Sequence, residues 1–151
     1  MGVTSSYYSQ TQSWSFTSLA AGLIVGITTS LILFCSHFHQ VEDDLAAGKR
    51  SPIVRLGTHR GAKLLIWITG SIYACNLLFV VTDIFPVWTL LSTLSLPFAW
   101  KLCTHVRQNH DIPEKVSNSK FIAVALHFWS CLFLGGGFML TEIINGNALS
   151  I

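Results

Sequence analysis

Charge is what this sequence has least of. Only 11% of its 151 residues are Asp, Glu, Lys or Arg, while 51% are hydrophobic, against roughly 25% charged in an average soluble domain. That balance argues against a water-soluble protein. A net charge of +2 gives no case for a nucleic-acid partner. The four cysteines, Cys35, Cys75, Cys103 and Cys131, stand singly with no C-x-x-C pair; they read as small buried hydrophobes, not as a zinc site or a disulfide framework. No basic stretch precedes the first apolar run, which reads against a cleaved signal peptide. Gly48-Lys49-Arg50-Ser51 lacks the upstream glycine of a Walker A loop.

What the sequence does have is a series of long uncharged runs, each near the ~20 residues that cross a bilayer as helix. Residues 1–16 are polar and uncharged, with Tyr7, Tyr8 and Trp14 suited to a membrane interface. They read as an interfacial lead-in or as the end of a longer helix. The expected spans are 17–38, 64–82, 84–100 and 121–141, within a membrane domain of 17–145, and 146–151 form a tail. The fold class is therefore all-α, a multi-spanning transmembrane bundle of four helices. Ser18, Gly22, Gly26 and Ser30 form a small-residue stripe, which either admits a neighbouring helix or reflects ordinary membrane-helix composition. Asp83 and Phe85-Pro86 leave room only for a tight turn, with Asp83 as its cap. Pro97 is expected to kink or end the third span. Gly135-Gly136-Gly137 is expected to mark a closely packed point or, as the alternative, a flexible one, and Asn76 to hydrogen-bond between helices.

All nine basic residues fall in two polar connections: Lys49, Arg50, Arg55, Arg60 and Lys63 in one, Lys101, Arg107, Lys115 and Lys120 in the other. By the positive-inside rule both lie on the cytoplasmic or stromal side, with the N-terminus, middle turn and C-terminus opposite. The first connection is the richest in chemistry. Residues 37–57 read H-F-H-Q-V-E-D-D-L-A-A-G-K-R-S-P-I-V-R-L-G. Glu42, Asp43 and Asp44 offer oxygen ligands to a hard cation such as Mg²⁺, which is commonly completed by waters and a substrate's phosphates. If the first helix continues through them, Gln40 and Asp44 share a face. Lys49, Arg50 and Arg55 can neutralise phosphate, and His37 and His39 can supply a metal ligand or a base. The alternative is a solvated loop whose charges keep it in water. His127, inside the fourth span, either hydrogen-bonds across a helix interface or serves a haem-binding four-helix protein.

Residues 42–57 resemble the second aspartate-rich motif and the trailing G-K-x-[ST]-x-x-V-R-L-G segment of the UbiA-type intramembrane prenyltransferases, and residues 36–41 extend the match toward the naphthoate phytyltransferase branch of cyanobacteria and plastids. The resemblance implies that the four spans correspond to the last four of nine helices. It implies transfer of a phytyl group from phytyl diphosphate to 1,4-dihydroxy-2-naphthoate, releasing diphosphate and CO₂, in phylloquinone or menaquinone synthesis. Mg²⁺ is the implied cofactor. The lipid bilayer of a plasma or thylakoid membrane and the N-terminal half of the same enzyme are the implied surroundings. Carried over residue by residue, Glu42, Asp44 and, more weakly, Asp43 are metal ligands. Lys49 and Arg55 are catalytic, and Lys49, Arg50, Arg55, Gln40 and His39 bind diphosphate. Gln40 stands where the family's D-x-x-x-D begins, offering a neutral oxygen in place of a carboxylate. The family's first motif, N-x-x-x-D-x-x-x-D, does not occur in these residues, so an inactive remnant or partner subunit is the rival expectation.

Overall fold

The computed structural model describes residues 2–148, and these are helical with no strand among them. In order they form α1 (Gly2–Thr11), α2 (Phe16–Ser36), the short α3 (Val41–Ala46) and α4 (Pro52–Leu56), then α5 (Thr58–Val81). A 3₁₀ segment (Val87–Ser95), α6 (Leu96–Asn109), the single turn α7 (Pro113–Val116) and α8 (Ser119–Ala148) follow. The part of the expected tail from 149 onward lies outside the described residues, as does Met1.

Each long helix buries one stripe at three- and four-residue spacing: Ala21, Ile24, Thr28, Leu31 and Cys35 on α2, and Ala62, Leu65, Thr69, Ile72 and Asn76 on α5. On α8 the stripe is Ser119, Ala123, Leu126, Ser130 and Leu134. The other faces are apolar and exposed, including Leu23, Leu33, Trp67, Leu78 and Phe128, as expected where lipid is the solvent. α2 packs on α5 and α8, while the 3₁₀ segment and α6 pack on α8 and α5, closing a four-cornered bundle. Three stretches, Phe16–Ser36, Thr58–Val81 and Pro113–Gly146, are long and apolar enough to cross a membrane. At 21 residues, α2 is about 31 Å long, close to the ~30 Å hydrocarbon core.

The fourth corner departs from the expectation of a span over 84–100. Pro86 holds an extended backbone, and the chain then winds as 3₁₀ helix because its small polar residues repeat every third position. Thr89, Ser92 and Ser95 are all buried on one face, the eclipsed face of a three-residue period. Thr89 and Ser95 hydroxyls donate back to the Pro86 and Ser92 carbonyls, each at 2.7 Å. Pro97, expected to kink or end the span, sits in the first turn of α6, just after the 3₁₀ segment ends at Ser95, where its missing N–H would be unpaired anyway.

This face supplies the bundle's polar joints. Asn76 Nδ2 donates to Ser92 Oγ at 2.6 Å and to the Thr89 carbonyl at 3.1 Å, while Ser95 Oγ meets both Tyr73 Oη (2.9 Å) and Ser130 Oγ (2.8 Å). Of the three consecutive glycines only Gly137 makes the close approach. A Cβ there would lie 2.5 Å from the Trp88 carbonyl oxygen, whereas Gly135 and Gly136 face open space. The small-residue stripe of α2 splits similarly: Ser18 and Gly22 meet α1 at Thr4, while Gly26 and Ser30 remain exposed. Gly2–Thr11 is thus helical.

The turn after α5 is a Schellman motif. Asp83 N–H donates to the Val80 carbonyl (3.1 Å) and Ile84 N–H to that of Phe79 (2.9 Å). Asp83 occupies the left-handed position at φ 56°, where an L side chain is strained and glycine is not. Asp83→Gly is therefore expected to stabilise the protein by about 0.5–1 kcal/mol, read as a raised unfolding midpoint in one detergent.

Candidate functional site

The first polar connection folds as a compact corner over the end of the bundle. α2 does not continue through the acidic residues; it stops at Ser36, and α3 begins afresh at Val41. Phe38 causes the break. It is 1% exposed and turns inward beneath α4 and α5, where Gly61 makes room: a Cβ on Gly61 would lie 2.6 Å from Ile53 Cδ1 and 3.3 Å from the Phe38 ring. With Phe38 anchored, His37 and His39 are held on either side of it.

α3 carries Glu42, Asp43 and Asp44 in its first turn, where carboxylates complement the helix dipole. A second Schellman motif closes it. Gly48, at φ 67°, donates its N–H to the Leu45 carbonyl (3.1 Å), and Lys49 N–H donates to that of Asp44 (2.7 Å). The chain reverses at Gly48, so the lysine is tied back to the backbone of the carboxylate five residues earlier. Arg55 Nε then donates to the Arg50 carbonyl at 3.0 Å, and Gly57, at φ 79°, turns the chain into α5. The G-K and R-L-G ends of the motif are thus the two corners of one loop, each needing the conformational freedom of glycine.

Within this corner the three acidic side chains diverge. Glu42 and Asp43 are exposed and Asp44 is buried at 9% exposure, with its Oδ2 3.7 Å from His37 Nδ1. Gln40 caps α3 and is half-buried, as is His39; Lys49, Arg50 and Arg55 are exposed. Gln40 and Asp44 are linked through the backbone, the Asp44 N–H donating to the Gln40 carbonyl at 2.8 Å. Among the described residues no three His, Cys, Asp or Glu side chains converge on a common point. The donor set still fits a magnesium-like cation, which uses one or two carboxylates and leaves its other positions to water and phosphate: Asp44 keeps part of its side chain exposed and Glu42 and Asp43 are exposed beside it.

The sequence motif did not disclose two neighbours of the site. Lys120, in the first turn of α8, lies close enough to His39 to act on its charge: burial, then Lys120, lowers the His39 pKa, Asp43 opposing and His37 adding to the fall. Nothing local in the sequence marks Lys120; only the packing of α8 on α2 brings it there. His37 was legible as a histidine near carboxylates, but not as the one facing Asp44.

The second polar connection meets the first at the same end of the bundle. The Thr58 hydroxyl donates to Asp111 Oδ1, His110 Nδ1 lies 2.8 Å from the same oxygen, and the His59 and His110 rings meet edge to face at 5.5 Å. Hydrogen bonding from Thr58, then His110, holds the Asp111 carboxyl below its usual range. Deeper in, His127 Nδ1 is 2.8 Å from Thr28 Oγ1, an interhelical bond between α8 and α2. Between α5 and α6 an apolar groove of about 920 Å³ runs past Ile66, Tyr73 and Trp100, with Arg107 and Gln108 at its polar end.

Described residues that are helical throughout their ordered elements, with three stretches long and apolar enough to cross a membrane, define an integral membrane protein. Residues 1–132 match the UbiA prenyltransferase family, and the chain belongs to that family. Members join a prenyl diphosphate to an aromatic acceptor in a lipid environment and generally use a divalent metal. The chain is 52% identical over 138 residues to the 2-carboxy-1,4-naphthoquinone phytyltransferase of Synechocystis sp., covering 91% of this chain and 45% of that protein. It is 44% identical over 110 residues to the chloroplastic enzyme of the same description from Arabidopsis thaliana, covering 72% and 29%. With the 1,4-dihydroxy-2-naphthoate octaprenyltransferase of Haemophilus influenzae the identity is 28% over 101 residues, 67% and 33% of the two chains. The chain thus spans less than half the length of each. No solved structure matches it significantly.

Proposed function

We propose that residues 17–145 correspond to the C-terminal half of a UbiA-type naphthoate phytyltransferase, which transfers a phytyl group from phytyl diphosphate to 1,4-dihydroxy-2-naphthoate with release of diphosphate and CO₂, as in phylloquinone or menaquinone synthesis. The observation that carries this reading is the 52% identity to the Synechocystis enzyme across 91% of the chain, a stretch that includes most or all of the corner over 37–57. Asp44 and Glu42, with Asp43 beside them, are the residues for the metal, Mg²⁺ in this reading. When bound, the metal supplies positive charge against the departing diphosphate.

Lys49, Arg50 and Arg55, all exposed along one loop, bind and orient the diphosphate oxygens, and Lys49 and Arg55 stabilise the charge that grows there as the allylic C–O bond breaks. Gln40 and His39 add neutral hydrogen-bonding groups at the same edge. The electron pair leaves with diphosphate, and the electron-rich ring attacks the allylic cation. Apolar walls exclude water from that cation, and the groove between α5 and α6 supplies one such wall. The corner lies on the cytoplasmic or stromal side of a plasma or thylakoid membrane, a placement supported by the meeting of both basic connections at one end. The N-terminal half of such an enzyme is the partner that supplies the other acidic motif.

A chimera tests this directly. The aligned region of the Synechocystis enzyme is replaced by this chain, and phytylated product is measured from phytyl diphosphate and 1,4-dihydroxy-2-naphthoate with and without Mg²⁺. Metal-dependent product from the chimera, and none from the chain alone, is expected. A chimera that accumulates normally in membranes yet makes no product would favour the inactive-remnant reading.

A further inference from the structure

We propose that His37 is a positioning residue for Asp44: its Nδ1–H donates to Asp44 Oδ2 and fixes the carboxylate in the orientation that receives a divalent cation. The inference rests on the assignment of Asp44 to the metal.

Three observations on these two side chains converge. His37 Nδ1 and Asp44 Oδ2 lie 3.7 Å apart, and both atoms are buried with no hydrogen-bond partner. Leaving a buried carboxylate oxygen unpaired is unfavourable, and closing the gap to a charge-assisted hydrogen bond needs a shift of only about 1 Å. Asp44 keeps 12% of its side-chain surface exposed, and Oδ2 contributes essentially none of it. The accessible part of the side chain is therefore elsewhere, free for a ligand while Oδ2 is held.

The backbone around both residues is already fixed. Asp44 is tied on one side by its N–H to Gln40 and on the other by its carbonyl to Lys49, and His37 is followed by the fully buried Phe38. Little remains free except the torsions of the two side chains, and the contact between them decides those. Residues that hydrogen-bond to a metal ligand commonly change metal affinity by about 10- to 100-fold when removed.

The probe is Mn²⁺ with inorganic diphosphate, bound by the detergent-solubilised chimera, whose unsubstituted form is the wild type here, and followed by the EPR signal of free Mn²⁺ against a protein-free control. Wild type is expected to bind. His37→Ala is expected to weaken binding about 10- to 100-fold. His37→Asn, whose amide nitrogen reaches the position of Nδ1, is expected to recover most of it, and His37→Gln, whose nitrogen reaches that of Nε2, is not. Asp44→Asn serves as the control for the metal assignment. If Asp44→Asn weakens binding and His37→Ala does not, the role of His37 is overturned while the metal site stands. If wild type binds no Mn²⁺, the metal assignment and the proposal both fall. Should His37→Ala fail to fold, the Asn and Gln variants carry the test, and equal affinities for the two would overturn it.

Discussion

Asp44→Asn in the chimeric enzyme is expected to lower phytyl transfer about 10²- to 10³-fold, the scale on which losing one preorganised electrostatic contact slows a charge-separating step. Accumulation in the membrane should change little. The substitution keeps the shape of the side chain and removes its charge, and the amide oxygen of Asn can still face His37 Nδ1. The backbone bonds that close α3, from Asp44 to Gln40 and from Lys49 to Asp44, survive it. Turnover and membrane abundance measured side by side decide the matter: Mg²⁺-dependent turnover equal to wild type would remove Asp44 from the site. Glu42→Gln is expected to act in the same direction but less strongly, because Glu42 is exposed and a water can take its place.

Gly137→Ala is expected to be the most damaging single methyl in the protein. The added Cβ would lie 2.5 Å from the Trp88 carbonyl oxygen and 2.7 Å from Thr89 Cα. These are backbone atoms, which cannot rotate away as a side chain can. Overpacking of this kind typically costs about 1–3 kcal/mol where side chains give way, and more where they do not. The contact also lies at the start of the 3₁₀ segment, so displacing it pulls Thr89 from its bond to Asn76. Gly135→Ala and Gly136→Ala meet nothing within 4 Å and should be neutral or slightly stabilising, since alanine is about 1 kcal/mol better than glycine within a helix. Unfolding midpoints of the three variants in one detergent test the contrast. Equal midpoints would show that α8 does not pack against the 3₁₀ segment as described.

The helical bundle was legible because membrane composition is a coarse signal. Long uncharged runs bounded by clustered Lys and Arg leave few alternatives, and the tight turn at Asp83 followed from Pro86 close behind it. The stretch over 84–100 was legible as an apolar run but not as a 3₁₀ segment followed by α6, because hydropathy does not separate a 3₁₀ winding from an α-helix. The signal that did separate them, Thr89, Ser92 and Ser95 at intervals of three, is a polar period inside an apolar run. The corner over 37–57 was legible as a motif but not as a shape. Spacing left open whether the first helix runs on through Gln40 and Asp44; it stops at Ser36, next to the buried Phe38, and that burial depends on a glycine 23 positions away, Gly61. Lys120 and the facing of His37 toward Asp44 depend on tertiary packing and on side-chain direction, which spacing does not encode.

The anchoring of Phe38 by Ile53 and Gly61 bears on the order in which the protein is made. All three residues fall within a short stretch of sequence, and the Schellman turn at Gly48 and the Arg55–Arg50 bond are more local still. Such low-contact-order structure forms quickly, so the corner can close as soon as α5 has entered the bilayer, while α8 is still on the ribosome. Lys120 then arrives at a finished surface. Biogenesis would thus proceed in two stages, with the carboxylates presented first and the distant cation added last.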